Sequence, residues 1–283
     1  MQVFNTVADV RNQIKEWRKQ GLTVGLVPTM GYLHEGHQSL MAQAKQQNDK
    51  VIVSVFVNPI QFGPNEDLAN YPRDLDRDIL ACQNMGVDMI FCPPASEMYD
   101  PHFSSFVDVT GITEQLCGKR RPGHFKGVCT VVTKLFNITQ PDRAYFGQKD
   151  AQQLAVIKQM VNDLNIPIVI VGCPIIREAD GLAKSSRNSY LSTQERNAAL
   201  CLYQAITLAK SLLQQGERQS DKLINAMKTV IEQQPLARID YIEITDFNTL
   251  KSVKHIEQSV LIALAVFIGN TRLIDNFVFT LPK

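Results

Sequence analysis

The first half of the chain alternates short apolar, β-branched runs with longer stretches in which apolar residues recur at helical spacing. This alternation is typical of βαβ units, in which helices cover both faces of a parallel sheet. The predicted strands lie at 22–27, 51–57, 88–91, 144–146 and 167–171, and the predicted helices at 34–47, 71–85, 127–136 and 150–164. The pattern therefore predicts an α/β fold with a doubly wound parallel sheet.

The pattern changes after residues 172–174, Gly-Cys-Pro. Helical and strand patterns no longer alternate, which is typical of an α+β domain. The predicted elements are helices at 193–214 and 220–234, followed by strands at 239–244 and 259–267. We therefore predict a first domain over residues 1–174 and a smaller α+β domain over residues 175–283.

Composition excludes several classes of partner. Lys and Arg number 29 against 28 Asp and Glu, so the chain lacks the basic surface that a nucleic-acid backbone needs. The longest apolar run, 260–268, is less than half of the ~20 residues that span a bilayer, and the N-terminus lacks a signal-peptide pattern. Six cysteines without a Cys-x-x-Cys pair indicate neither a zinc site nor a disulfide framework. We expect a cytoplasmic protein with no membrane or nucleic-acid partner.

Two histidines follow the first predicted strand and open a predicted helix, in the run Pro-Thr-Met-Gly-Tyr-Leu-His-Glu-Gly-His at 28–37. His34 and His37 are three residues apart and share one face of a helical turn. The free N–H groups at a helix start favour anions, so the turn is predicted to hold a polyphosphate. Taken alone, the match fits a solvated loop with two histidines equally well.

Three further polar segments follow predicted strands, at residues 58–63, 147–150 and 177–178. In open α/β sheets, ligands bind in the crevice outside the carboxyl ends of the strands. We therefore expect these segments to converge with His34 and His37 on one pocket.

A Gly-led segment at 181–188, Gly-Leu-Ala-Lys-Ser-Ser-Arg-Asn, lies between the predicted domains. Lys184, Ser185, Ser186 and Arg187 offer two cations and two hydroxyls that can donate to several phosphate oxygens, and an arginine can bind two of them in a fork. Alone, this segment also fits a polar interdomain linker that is capped by serines.

Together, the two motifs resemble the HIGH-type turn and the KMSKS-type loop of class I aminoacyl-tRNA synthetases and nucleotidylyltransferases. Those enzymes make adenylates by attack on the α-phosphate of ATP. Negative charge grows there on phosphoryl oxygens and on pyrophosphate, where imidazole, ammonium and guanidinium donors help most. A tRNA synthetase needs a large basic surface, so the acceptor is predicted to be small.

Five blocks in order resemble the pantothenate synthetase (pantoate–β-alanine ligase) family: residues 28–37, 56–62, 121–128, 147–153 and 185–188. The resemblance implies an α/β fold, with a Rossmann-like doubly wound parallel sheet that binds ATP and pantoate and a smaller C-terminal α+β lid domain. It implies condensation of (R)-pantoate with β-alanine through a pantoyl adenylate, releasing AMP and pyrophosphate. ATP is then a substrate accompanied by Mg²⁺, and the enzyme is a homodimer built through its N-terminal domain.

The same resemblance implies roles for individual residues. His37, His34, Lys149 and Arg187 match catalytic positions. The ATP-binding positions are Met30, Gly31, Tyr32, Leu33, His34, Glu35, Gly36, His37, Gly147, Gln148, Lys149, Asp150, Ile176, Lys184, Ser185, Ser186 and Arg187.

Two glutamines, Gln61 and Gln153, match the residues that hold pantoate, and Gln61 also matches a β-alanine contact. No protein side chain is implied as a direct metal ligand. Many relatives have Met or Leu where Lys184 stands, and Glu where Gln148 stands.

Two other functions compete with this interpretation. One is a nucleotidylyltransferase that joins AMP to a small phosphorylated acceptor, and the other is a non-catalytic ATP sensor. Arg121 and His124, in a hallmark block of the family, receive no individual role from the sequence, and anchoring of the following helix is the simplest one.

Overall fold

The computed structural model describes residues 1–64 and 66–281. The chain divides into two compact units. The first contains Met1–Thr113 and Cys117–Pro174, and the second contains Glu114–Leu116 and the residues from Ile175 onward. The short segment Glu114–Leu116 therefore groups with the second unit, although we expected it in the first domain. In the described part of the chain, we find no helical segment that could serve as a membrane span.

The first unit is built on a six-stranded sheet in which all neighbouring strands are parallel. Its strands are β1 (Gln2–Phe4), β2 (Val24–Thr29), β3 (Lys50–Val55), β4 (Met89–Phe91), β5 (Arg143–Gly147) and β6 (Val169–Cys173). They lie in the order β1-β4-β3-β2-β5-β6. The doubly wound parallel sheet that the alternating pattern predicts is confirmed.

Helices cover both faces of this sheet. They are α1 (Val7–Lys19), α2 (Glu35–Gln47), α3 (Leu75–Asn84), α4 (Ala95–Met98), α5 (Leu116–Arg120), α6 (His124–Thr139) and α7 (Ala151–Asp163). Successive residues of β2 pack against helices on opposite faces of the sheet, because side chains alternate along a strand. Leu26 belongs to the apolar cluster that contains Phe136 of α6. Its neighbour Val27 belongs to the cluster that contains Met41 of α2.

The first helix, α1, was missed by the sequence analysis, although it carries clear signals. Thr6 caps it by accepting a hydrogen bond from the N–H of Asp9. Val10, Ile14 and Trp17 are buried at the helical spacing of four and three residues. The preceding strand β1 has only three residues, too few for period-two alternation to be recognised.

The second unit carries a three-stranded antiparallel sheet of β7 (Ala237–Asp246), β8 (Val260–Ile268) and β9 (Thr271–Phe279). Its helices are α8 (Thr193–Ala198), α9 (Leu200–Gln214) and α10 (Ser220–Glu232). The α+β class expected for this part of the chain is confirmed. The single helix expected over 193–214 is wrong, because α8 and α9 are separate helices that meet at Ala199. The apolar run 260–268 forms the buried central strand β8, as expected.

Candidate active site

The winding of the first unit reverses between β2 and β5. After β2 the chain adds β3 to one side, and it later adds β5 to the other side of β2. Such a reversal leaves a crevice outside the carboxyl ends of the two strands, where ligands of α/β proteins bind. The segment Met30–His37 follows β2, and the segment Gly147–Asp150 follows β5. The fold thus brings two of the predicted ATP-binding segments to the same sheet edge.

The turn that leaves β2 has an unusual backbone. Gly31 and Tyr32 have φ angles of 81° and 50°, a region that favours glycine. The carboxylate of Asp78, at the start of α3, accepts hydrogen bonds from the N–H groups of Tyr32 (2.8 Å) and Leu33 (2.7 Å). A Cβ at Gly31 would lie 2.9 Å from Asp78 Oδ2. Gly31 is therefore needed both for its φ angle and for room.

Asp78 is a site residue that the sequence analysis missed. Its carboxyl is 1% exposed, and burial raises its pKa even though the amides of Leu33 and Tyr32 oppose this shift. The neighbouring Arg77 stacks over the Tyr32 ring, with its guanidinium carbon 4.5 Å from the ring centroid. Both side chains hold the turn from α3, about 45 residues away along the chain, and no local pattern reveals that pairing.

His34 and His37 cap their own helix. Nδ1 of His34 accepts a hydrogen bond from the N–H of Gly36 (3.1 Å), and Nδ1 of His37 accepts one from the N–H of His34 (3.3 Å). A ring nitrogen that accepts carries no proton, so each neutral ring bears its proton on Nε2. The ring centroids are 4.1 Å apart. The helix start therefore presents two Nε2–H donors side by side.

The protonation of His37 follows from its surroundings. Burial is the main cause that lowers the pKa of His37 to about 3; a positive charge on this ring would also be unfavourable beside His34 and Lys149, and Asp150 has a smaller opposite effect. His37 is therefore neutral near pH 7 and donates hydrogen bonds without a net charge. Because Lys149 and Asp150 affect this pKa, the segment Gly147–Asp150 must lie close to the ring of His37.

The turn after β5 places a cation next to these imidazoles. Residues Gln148–Asp150 form a 3-10 helix that leads directly into α7. Lys149 Nζ lies 3.9 Å from Asp150 Oδ2. One ammonium group and two Nε2–H donors are thus gathered at one end of β2 and β5, an arrangement suited to the oxygens of a polyphosphate.

The predicted pantoate ligand Gln61 lies beside the same turn. It ends a 3-10 helix, Pro59–Gln61, that follows β3. Its Oε1 accepts a hydrogen bond from Asn58 Nδ2 (3.0 Å), and its Nε2 donates to Met30 Sδ (3.2 Å). The side chain is 8% exposed. The structure therefore joins Gln61 to the segment that follows β2.

Two adjacent glutamines on α7 have different surroundings. Gln152 is buried, and its amide bonds the main chain of Ile112 (2.9 Å) and Gly118 (3.3 Å). Gln153, the predicted pantoate ligand, is half-buried on the first turn of α7. The main-chain contacts of Gln152 are structural, and Gln153 remains the candidate of the two for ligand binding.

The predicted phosphate loop belongs to the second unit and starts as a hairpin. Ile176 accepts a main-chain hydrogen bond from Lys184 (2.9 Å), and Arg177 bridges to Ala183. Ser185 Oγ then accepts from the N–H of Arg187 (3.3 Å) and opens a 3-10 helix over Ser186–Tyr190. The strip therefore runs from the last hydrogen bond of the hairpin, at Lys184, into the first residues of the 3-10 helix, Ser186 and Arg187.

Ion pairs brace the base of this loop. Arg177 binds both oxygens of Asp275, at 2.6 and 2.8 Å. Glu178 and Asp180 both pair with Arg196, at 3.0 and 2.9 Å. Asp275 is 98 residues from Arg177 and Arg196 is 16 to 18 residues from its two partners, and the sequence analysis named neither.

Comparisons with known proteins point to one family. The family model for pantoate-β-alanine ligase matches residues 2–278. The pantothenate synthetase of Enterococcus faecalis is 63% identical over 281 residues, which are 99% of this chain and 100% of that protein.

Solved structures agree with that match. Pantothenate synthetase from Thermus thermophilus superposes with a TM-score of 0.93 at 44% identity, covering 98% of this chain and 99% of that one. A second structure is that of pantoate-β-alanine ligase from Francisella tularensis in complex with β-γ ATP and β-alanine. It superposes with a TM-score of 0.81 at 35% identity, and the alignment covers 98% of this chain and 97% of the Francisella chain.

Proposed function

The chain belongs to the pantoate–β-alanine ligase family, and from that premise we propose how its residues join (R)-pantoate to β-alanine with ATP. The observation that carries the proposal is the grouping of His34, His37, Lys149 and Gln61 at neighbouring strand ends of the first unit. Donors for a polyphosphate and an amide for a hydroxy acid thus meet in one place.

In the first half-reaction, a carboxylate oxygen of pantoate attacks the α-phosphorus of ATP. The bond to the bridging oxygen breaks, and pyrophosphate leaves with the electron pair. The Nε2–H groups of His34 and His37 donate to phosphate oxygens while negative charge grows there. Because the pKa of His37 is about 3, we propose that it acts as a neutral hydrogen-bond donor. Lys149 and Arg187 supply the positive charge.

The remaining ATP contacts follow the backbone. We propose that the nucleotide lies against Met30–Leu33, Gly36 and Gly147, near Glu35 and Gln148, with Asp150 close to the ribose. On the second unit, we assign adenine contacts to Ile176 and phosphate contacts to the strip Lys184, Ser185, Ser186 and Arg187. These assignments rest on the family resemblance.

In the second half-reaction, the amine of β-alanine attacks the acyl carbon of pantoyl adenylate, and AMP leaves. Gln61 and Gln153 hold pantoate, and Gln61 also contacts β-alanine. An amide suits this task because it donates and accepts hydrogen bonds at once. The ammonium of β-alanine must lose a proton before attack, since only the neutral amine has a free electron pair.

Mg²⁺, the quaternary structure and the location of the enzyme are also proposals. Among the residues that the structure describes, no group of three or more His, Cys, Asp or Glu side chains is placed to hold a metal ion. We propose that Mg²⁺ is held chiefly by ATP phosphates and water, because this ion gives up its water ligands reluctantly and binds substrate phosphates. We further propose a cytoplasmic homodimer whose residues 1–174 bind ATP and pantoate and whose residues 175–283 form a lid.

The test is incubation of the enzyme with ATP, Mg²⁺, pantoate and β-alanine, followed by measurement of pyrophosphate, AMP and pantothenate. We expect all three products in equal amounts, and free AMP only when β-alanine is present in addition to pantoate. Pyrophosphate without free AMP in the complete mixture would favour a nucleotidylyltransferase. Binding of ATP with no turnover would favour a sensor.

A further inference from the structure

Three side chains outside the predicted ligand set form a chain of hydrogen bonds that ends on the main chain of Gln61. The guanidinium of Arg121 binds both carboxylate oxygens of Glu66, with Nε–Oε1 and Nη2–Oε2 distances of 2.6 Å each. Its Nη1 lies 3.0 Å from Nε2 of His124. The other ring nitrogen of His124, Nδ1, lies 2.9 Å from the carbonyl oxygen of Gln61.

The two partners of His124 define its tautomer. The carbonyl oxygen of Gln61 only accepts, so Nδ1 must carry the proton. Arginine only donates, so Nε2 must offer its lone pair. Burial, together with the charge of Arg121, lowers the pKa of His124 to about 4. The ring is therefore neutral at pH 7, with a single arrangement of donor and acceptor.

Arg121 is itself fixed by Glu66. A bidentate ion pair of this kind holds the planar guanidinium in one orientation, and the remaining nitrogen, Nη1, then faces His124. Burial opposes ionisation of Glu66, but the hydrogen bonds and charge of Arg121 prevail and lower the pKa of the carboxyl. The pair therefore persists at neutral pH and keeps His124 in place.

Gln61 is held from other sides as well. Asn58 donates to Gln61 Oε1 (3.0 Å), and the hydroxyl of Tyr99 donates to Asn58 Oδ1 (2.7 Å). The NH₂ group of Gln61 consequently faces Met30 Sδ. A Cβ at Gly127 would lie 2.6 Å from the Cα of Gln61. The backbone of α6 therefore packs directly against the backbone of Gln61. A displaced main chain at Gln61 would disturb the direction of its amide.

We propose that His124, oriented by Arg121 and Glu66, is a positioning residue for pantoate, because it fixes the main chain from which the Gln61 side chain reaches that substrate. The inference rests on the proposed role of Gln61 as a pantoate ligand. The proposal gives the block at 121–128 a function beyond anchoring a helix, because the ring of His124 forms a hydrogen bond with the carbonyl oxygen of Gln61, outside its own helix.

The first test is His124→Phe, which keeps an aromatic ring and removes both nitrogens. We expect the KM for pantoate to rise at least tenfold, while the KM for ATP stays within twofold. A general loss of structure would raise both constants. Equal rises in the two constants, or an unchanged KM for pantoate, would overturn the positioning role.

Two amide variants separate the two ring nitrogens. The side-chain N–H of His124→Asn lies near the place of Nδ1, whereas that of His124→Gln lies near the place of Nε2. We expect His124→Asn to restore most of the pantoate affinity and His124→Gln to resemble His124→Phe. If His124→Phe does not fold, the comparison of His124→Asn with His124→Gln tests the proposal by itself. A lower KM for pantoate in His124→Gln than in His124→Asn would contradict the proposal.

A matched control lies on the same helix. Thr130 is also buried, and its hydroxyl donates to the carbonyl of Lys126 (2.7 Å) and accepts from the N–H of Val107 (3.0 Å). Thr130→Val also removes a buried hydrogen bond from α6, but not one to Gln61. We expect its KM for pantoate to match that of the unmodified enzyme, and a tenfold rise would show that any loss on α6 has this effect.

Gln61→Ala distinguishes failure of this inference from failure of the proposed function. If Gln61→Ala leaves the KM for pantoate unchanged, the assigned role of Gln61 is wrong. If Gln61→Ala raises that KM but His124→Phe does not, only the positioning role is wrong. When both are right, His124→Phe adds less than twofold in the Gln61→Ala background, because the side chain to be positioned is already absent.

Discussion

The two units hold their candidate phosphate-binding groups by different means. In the first unit, His34 and His37 are fixed by hydrogen bonds between neutral groups, in which each ring accepts a main-chain N–H. In the second unit, the loop that carries Arg187 is braced by ion pairs such as Arg177–Asp275. These hydrogen bonds orient the two rings and use their unprotonated Nδ1 atoms. The ion pairs make the second loop depend on single charges, Asp275 of β9 and Arg196 of α8, so one substitution should damage it more easily.

The largest effect on stability should come from breaking the buried ion pair of the second unit with Asp275→Asn. The carboxylate is 1% exposed and the Arg177 side chain 19%, so the arginine would lose its partner largely out of water. We expect a loss of about 3 kcal/mol in the free energy of unfolding, at the lower end of the range for such pairs because Arg177 keeps some solvent. Urea unfolding followed by circular dichroism measures it.

An exposed pair of the same unit is the control for that variant. Lys228 and Glu232 are 3.6 Å apart on α10, with side chains 54% and 58% exposed. Lys228→Ala should change the free energy of unfolding by less than about 0.5 kcal/mol. A loss for Asp275→Asn as small as this one would show that the ion pair does not brace the loop.

A second effect, on catalysis, compares one donor from each unit. His37→Asn removes the Nε2–H donor but keeps an oxygen near Nδ1 that can accept from His34, and Arg187→Ala removes the guanidinium. Each should slow adenylate formation by roughly 10² to 10³, the usual loss for one transition-state donor. Single-turnover release of pyrophosphate measures this step.

The stability of two His37 variants tests the neutral cap of the first unit. Because His37→Asn retains the cap, its free energy of unfolding should stay near that of the unmodified enzyme, whereas His37→Ala should lose about 1 kcal/mol. Unaltered single-turnover rates in both His37→Asn and Arg187→Ala would remove these residues from the reaction.

The comparison also explains what the sequence could predict. The parallel sheet was predictable because each βα unit carries its own local pattern, and His34 and His37 were found because their whole cap lies within four residues. Asp78 and Asp275 were not found, because their partners are 46 and 98 residues away along the chain. Contacts of that range depend on topology, which local periodicity does not encode.

A third effect is on stability at mildly acidic pH. The pKa of His124 is about 4 in the folded protein and near 6.5 in an unfolded chain. Between these values the unfolded chain binds more protons, so the free energy of unfolding must fall as the pH drops. From pH 7 to pH 5.5 this histidine should account for about 1 kcal/mol.

His124→Asn checks that expectation, since it removes the titrating group. Fluorescence of Trp17, the single tryptophan, reports on the core of the first unit. Urea unfolding at several pH values, at constant ionic strength, should show a shallower fall for the variant. Parallel curves for both proteins would mean that His124 takes up its proton over the same pH range in the folded protein as in the unfolded chain.

The smallest effect concerns Lys184, at the start of the phosphate strip. If its ammonium adds to phosphate binding, Lys184→Met should raise the KM for ATP two- to fivefold, since a half-exposed charge next to an anion contributes less than about 1 kcal/mol. That rise should shrink at 0.5 M salt, because salt screens exposed charges. The His37→Asn defect, which comes from a neutral donor, should keep its size at both salt concentrations. A Lys184→Met variant with an unchanged KM at low salt would place the ammonium outside the phosphate site and would leave Arg187 as the cation of the 184–187 strip.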